Sequence, residues 1–323
     1  MAEGTRANTR PGSLRRLLML AFAVAVLWFG GGALVEQWTA VREVRAAHPT
    51  RWGGVLAASL LTLLSYAFLI ETWRRTVRSW GESIGYPTAA RIWLVSNLGR
   101  YVPGKIWQIG AMSVLAERAG VSAAAAVGSA LLVSLVHVVV GFGVVALTGW
   151  SLMSSQLPSG APVLPMLVAL ASGIVSLPWT LPWGAALASR ISGRAIAIRR
   201  LPPTAVWIAA VGSAVGWLIF GAAFHVLGSA VLGRATGDAA TSIALFTLSY
   251  LAGFLALIAP GGIGVREGVL AGLLVSTGTT TVAEATWLVV ASRLWLTVLE
   301  IVPGSVLLLA RPSIRPFSRS VSS

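Results

Sequence analysis

Long apolar runs, broken by short arginine-bearing stretches, follow one another from Leu14 to Leu309. A helix needs about 20 consecutive apolar residues to cross the hydrocarbon core of a bilayer. On that measure full crossings are expected over Leu14–Val35, Gly53–Trp73, Val121–Thr148, Val163–Leu187, Thr204–Gly228 and Val282–Leu309. The runs are too long and too continuously apolar for barrel strands, which alternate over short segments. Two further apolar regions, 92–115 and 241–277, are interrupted by Pro and Gly. They are expected to enter and leave the membrane as broken, re-entrant hairpins. The predicted fold is therefore an all-α integral membrane bundle of about six full crossings and two broken segments.

Composition agrees with this reading. Hydrophobic residues make up 56% of the chain and charged residues only 11%, where a soluble domain carries about 25% charged residues. Mean hydropathy is +0.82. The polar stretches, Glu36–Trp52 and Ala188–Pro203 among them, are too short for a soluble core. The chain thus reads as a cytoplasmic tail (1–13), one polytopic membrane domain (14–310) and a basic tail (311–323). Arg15–Arg16 ahead of an apolar stretch resembles a signal peptide, but the run reaches Val35, as in an uncleaved anchor. Glu36–Arg51 is expected to carry a short amphipathic helix on the outer surface. With no cysteine, disulfides and Cys-based metal sites are excluded.

Net charge is +14, and its placement speaks for topology rather than nucleic acid. With the N-terminus inside, Arg42, Arg45, Arg51 and Arg234 face outward. The clusters Arg6–Arg16, Arg74–Arg91, Arg190–Arg200 and Arg311–Arg319, with Arg118, face the cytoplasm. That asymmetry puts both termini inside. It also requires each broken segment to return to the side it left, the first opening inward and the second outward. Three crossings separate them, so the two are inverted relative to each other.

The broken segments carry the candidate chemistry. The first runs from Ser96 through Asn97, Arg100, Tyr101, Pro103-Gly104 and Lys105 to Gln108; the second is Leu257–Glu267, with Pro260-Gly261-Gly262-Ile263-Gly264 before Arg266. Proline removes a donor and glycine permits conformations closed to other residues, so each motif breaks a helix. Such backbone is tolerated at membrane depth only where protein or water satisfies it. The half-helix that follows starts with unpaired N–H groups and a positive dipole end, which attract anions. Asn97 and Gln108 flank the first break, where they satisfy freed backbone groups or touch ligand. The glycine cluster lacks the spacing and βαβ setting of a dinucleotide fingerprint.

Charges at membrane depth are costly and point to function. Arg100, Lys105, Arg266 and Arg293 are placed there, with Glu267 and Glu300. Arg293 and Glu300 share a helix face about 10.5 Å apart along the axis, too far to pair directly. Glu267 is the expected partner of Arg293, in a gating or a purely structural role. His137 and His225 fall mid-span, as a proton relay or as cross-helix hydrogen-bonding partners. The net positive set suits an anion such as a phospholipid or polyprenyl-phosphate headgroup.

These motifs resemble the lysylphosphatidylglycerol synthase transmembrane-region family, also called a flippase-like domain. The likeness rests on Asn97, on Tyr101-Val102-Pro103-Gly104-Lys105, on Pro260-Gly261-Gly262-Ile263-Gly264-Val265-Arg266-Glu267 and on Arg293. It implies a bacterial plasma-membrane protein that moves lipids between leaflets. The best-understood members add a soluble aminoacyl-transferase domain; without one, no synthase activity is expected. The expected function is a lipid translocase acting by alternating access, with no cofactor, no metal and no catalytic residue. A non-catalytic partner of a cell-envelope enzyme and a small-anion transporter are the alternatives. With 10 acidic residues in all, only Glu267 and Glu300 are placed for acid–base chemistry.

Overall fold

The computed structural model describes residues 38–47, 49–101, 106–151, 203–256 and 262–310, with the isolated positions 172, 173, 176 and 180. Among the described residues all regular structure is helical. In chain order the helices are α1 (Trp38–Ala47), α2 (Trp52–Arg78), α3 (Tyr86–Asn97), α4 (Ile106–Arg118), α5 (Ala123–Thr148), α6 (Pro203–Val231), α7 (Ala239–Leu255), α8 (Val265–Ser276) and α9 (Val282–Leu309). A 3-10 turn, Leu98–Tyr101, follows α3. The expected crossing Leu14–Val35, and nearly all of Val163–Leu187, lie outside the described residues.

Four helices, α2, α5, α6 and α9, are long and apolar enough to cross a membrane. The last spans the same residues read from the sequence. α2 runs five residues past the expected end at Trp73. Glu71 takes Arg74 at 2.6 Å and Arg75 at 2.7 Å, and these i,i+3 and i,i+4 pairs let the helix continue beyond its apolar run. α1 fills the stretch where a short amphipathic helix is expected, and it packs on α9.

The helix starts are built by short polar side chains. The Ser122 hydroxyl accepts from Ala125 N–H ahead of α5, and the Asp238 carboxylate from Thr241 N–H ahead of α7. That amide holds the Asp238 carboxyl below its ordinary range. At α9, Thr281 and Glu284 cap each other's backbone N–H groups. Arg234 clasps Glu284 through two nitrogens, at 2.8 and 2.7 Å, and donates to the Thr279 carbonyl. The loop before α7 is thereby fastened to the start of α9.

α6 lies at the centre. Half of its apolar window is buried, against 28–33% for the other three long helices, which turn Leu56, Leu60, Leu131, Leu135, Val298 and Val306 outward. Small residues bring α2 against it. A Cβ on Gly54 would stand 2.7 Å from the Ala230 Cβ, one on Gly216 3.1 Å from Leu69, and one on Gly212 would run into Thr72. As α2 ascends from Gly54 to Thr72, α6 descends from Ala230 to Gly212, so the two are antiparallel.

The helix lengths recur: long, short, short, long from α2 to α5, and again from α6 to α9. α3 packs on α4 and α7 on α8. Each pair then meets the last long helix of the other set. Gly304 of α9 sits against Leu94 and Leu98 beside α3, and Gly141 of α5 sits against Leu251 of α7.

The Gly212→Leu variant should lose about 1–3 kcal/mol through forced separation of α2 and α6. Gly272, with nothing within 4 Å of a built Cβ, should accept leucine with a change of about 0.5 kcal/mol or less. Thermal unfolding of the purified variants in detergent reads the difference.

Candidate functional site

The first broken segment is described on both flanks. α3 ends at Asn97, the 3-10 turn carries Arg100, and α4 begins at Ile106. In the second, α7 ends at Leu255, and Gly262 (φ 70°) and Gly264 (φ 87°) lead into α8. Both lie in the left-handed region that glycine alone enters cheaply. A Cβ on Gly262 would also stand 2.8 Å from the Gly253 carbonyl oxygen, so no larger residue fits there. The breaks Pro103, Gly104, Pro260 and Gly261, with Lys105, lie outside the described residues, as does the side chain of Tyr101.

Beside these flanks three arginines and two glutamates gather. Arg100 Nη1 lies 3.0 Å from Glu300 Oε1 of α9 and donates to the Tyr250 hydroxyl of α7 at 3.3 Å. The Tyr66 hydroxyl of α2 donates to the same Glu300 oxygen at 3.4 Å. Glu267 reaches back to the Gly264 N–H at 2.6 Å, completing the start of α8. Its other oxygen stands 3.2 Å from Arg293 Nη1, an ion pair in distance though not in hydrogen-bond alignment. Glu267 and Arg293 are thus the pair expected from the sequence.

Arg266 is different. It is 6% exposed, and its guanidinium lies 4.7 Å from the centre of the Tyr250 ring and 5.1 Å from that of Phe246. It makes no hydrogen bond or ion pair with any described residue. The ring faces hold the cation by their quadrupoles but take none of its N–H donors. The charges acting on it are those of Glu267, Arg293 and Glu300, and both carboxylates already have an arginine. One positive charge is therefore left over within the described cluster. A buried charge without a partner is strongly disfavoured, and an anion brought to the N-terminal turn of α8 meets both the guanidinium and the helix dipole.

Tyr250 joins the two broken segments. Its hydroxyl takes Arg100 from the first and its ring takes Arg266 from the second. Its edge meets Trp217 at 5.6 Å. Trp217 stacks on His137 at 4.3 Å and donates to the His137 carbonyl. His225 bonds Ser242 across α6 and α7 at 2.9 Å, one of the two roles open to it in the sequence. Asn97 and Gln108 meet directly, with Gln108 Nε2 donating to Asn97 Oδ1 at 2.6 Å.

Of the residues singled out in the sequence, Arg100, Glu300, Arg266, Glu267 and Arg293 form one charged cluster, in which Tyr250 touches Arg100 and Arg266. Tyr66, Tyr250 and Phe246 escaped sequence reasoning. A signal existed for the tyrosines. The chain has four, and Tyr66 and Tyr250 fall inside apolar segments, where a phenolic hydroxyl must find a partner. No cluster of metal-ligating residues occurs among the described residues.

Residues 16–304 match the family described as the lysylphosphatidylglycerol synthase TM region, and the chain belongs to that family. No curated protein matches the chain. Membership ties the protein to membrane-lipid metabolism or translocation and agrees with its apolar helices in making it a multi-pass membrane protein.

The Glu300→Gln variant should remove the carboxylate that faces Arg100 and cost about 1–3 kcal/mol. Combining it with Arg100→Gln should recover part of that loss, a coupling that a double-mutant cycle on unfolding measures.

Proposed function

Proceeding from membership in this lipid-related family, we propose that the protein is a non-catalytic lipid translocase of the bacterial plasma membrane. It moves an anionic, phosphate-bearing lipid between leaflets around a central cationic site. The observation that carries this reading is Arg266, a buried arginine at the start of a half-helix whose charge no described side chain neutralises. A headgroup phosphate supplies what is missing, with Lys105 of the first segment as its second cation. The acyl chains stay in the surrounding lipid.

The arrangement of helices supports the alternating-access part of the proposal. α3, α4, α7 and α8 have 12, 13, 17 and 12 residues. At about 1.5 Å per residue none reaches across a hydrocarbon core of about 30 Å. Short paired helices of this kind suit re-entrant hairpins. The antiparallel seam between α2 and α6, each the first member of a long–short–short–long series, suits two halves of inverted topology. In inverted-repeat carriers the site lies at the interface between halves, and rocking exposes it to either side. Both termini then face the cytoplasm, as the arginine distribution requires.

The Arg266→Gln and Lys105→Ala variants, reconstituted in vesicles, should move a fluorescent phosphatidylglycerol between leaflets at least roughly tenfold more slowly than the unsubstituted protein. Movement at the original rate in both variants would remove the assignment. Co-purification with an envelope enzyme, without lipid movement by the protein alone, would favour a partner role.

A further inference from the structure

The two broken segments share a detail beyond their outline. In the first, a Cβ on Gly99 would stand 2.7 Å from Gln108 N and 2.8 Å from its Cα. In the second, a Cβ on Gly253 would stand 2.8 Å from Arg266 Cβ and 3.5 Å from its Cα. In each, a glycine in the last turn of the first half, Gly99 in the 3-10 turn after α3 and Gly253 in α7, lets the first turn of the second helix approach. Gln108 and Arg266 are thus structural counterparts. Asn97, which bonds Gln108, and Tyr250, which lies on Arg266, each sit two or three residues before their glycine.

The counterparts differ in chemistry. Arg266 offers a charge. Gln108 and Asn97 offer a neutral amide pair that is only half used. Their single bond leaves the Asn97 N–H donors and the Gln108 carbonyl acceptor without a hydrogen bond to any described residue, although Asn97 is only 9% exposed. One turn further along, Arg100 reaches Tyr250, the residue on which Arg266 lies. Tyr250 therefore touches both the cation and the turn that follows the neutral pair. An amide pair with unspent donor and acceptor capacity matches a hydroxyl, which both donates and accepts.

Resting on the translocase reading, we infer that the lipid is a phosphodiester whose headgroup is neutral and hydroxylated. The phosphate lies at Arg266, and the hydroxyls lie at Asn97 and Gln108. An amine headgroup fits poorly, because Glu267 and Glu300 are each engaged with an arginine and an ammonium would face Arg266. A phosphate monoester lacking the hydroxylated group leaves the amides unpaired. Glycerol and sugar headgroups share the required chemistry, one on a glycerolipid and the other on a glycosyl phosphoprenol.

The test uses the full chain in vesicles and four fluorescent lipids: phosphatidylglycerol, a glycosyl phosphoprenol, phosphatidate and phosphatidylethanolamine. At least one of the first two should cross roughly tenfold faster than either of the last two, and which one it is separates a glycerolipid from a prenyl source. In Gln108→Leu, and independently in Asn97→Ser, the preference over phosphatidate should shrink to within about threefold. Equal rates for phosphatidylglycerol, glycosyl phosphoprenol and phosphatidate in the unsubstituted protein would overturn the headgroup inference. So would an unchanged preference in both variants, or fastest movement of phosphatidylethanolamine. None of these results touches the translocase reading while Arg266→Gln still slows transport. Unslowed transport in that variant would remove the reading and this inference with it.

Discussion

Hydrocarbon offers no hydrogen bond to a peptide group and no counter-charge to an ion, and the arrangement around α6 follows from that constraint. Glu267 and Glu300 are each held by an arginine from another element. The Arg100–Glu300 contact ties the first segment to α9, and the Glu267–Arg293 contact ties α8 to α9. α9 thereby supplies both a carboxylate and a guanidinium, and the two short-helix pairs dock on it through opposite charges. Arg266 alone in this group is held by aromatic faces. Its donors remain available because nothing in the described bundle consumes them.

Much of this was legible in the sequence, for reasons that can be named. α9 is written in a long, mostly apolar run that starts at a capping box on Thr281, so its limits are plain. The Glu267–Arg293 pair follows from charge at membrane depth and the scarcity of acidic residues. The partner of Glu300 does not, because Arg100 is 200 positions away and no local spacing links them. α2 outlasts its apolar run because Arg74 and Arg75, loop-like in the sequence, are both bound by Glu71.

The aromatic residues mark another limit. Tyr250 has no motif, and hydropathy treats it as an unremarkable member of an apolar helix. Its importance comes from having two usable surfaces, a ring and a hydroxyl, turned toward different segments. Only the packing of α7 against α8 and the approach of the 3-10 turn give both surfaces a partner. Phe246, one turn earlier, contributes only a face, and its position beneath Arg266 has no trace in the pattern of polar and apolar residues.

The seam of α2 and α6 has a mechanical consequence. Gly54, Gly212 and Gly216 let the two backbones lie so close that Ala230, Thr72 and Leu69 interlock along most of their length. Helices meshed in this way resist sliding lengthwise, since each tooth would have to climb over its neighbour. They still tolerate a small tilt about the line of contact. The pair is therefore suited to be an axle, leaving the larger displacements to the short helices and the glycine turns at their ends.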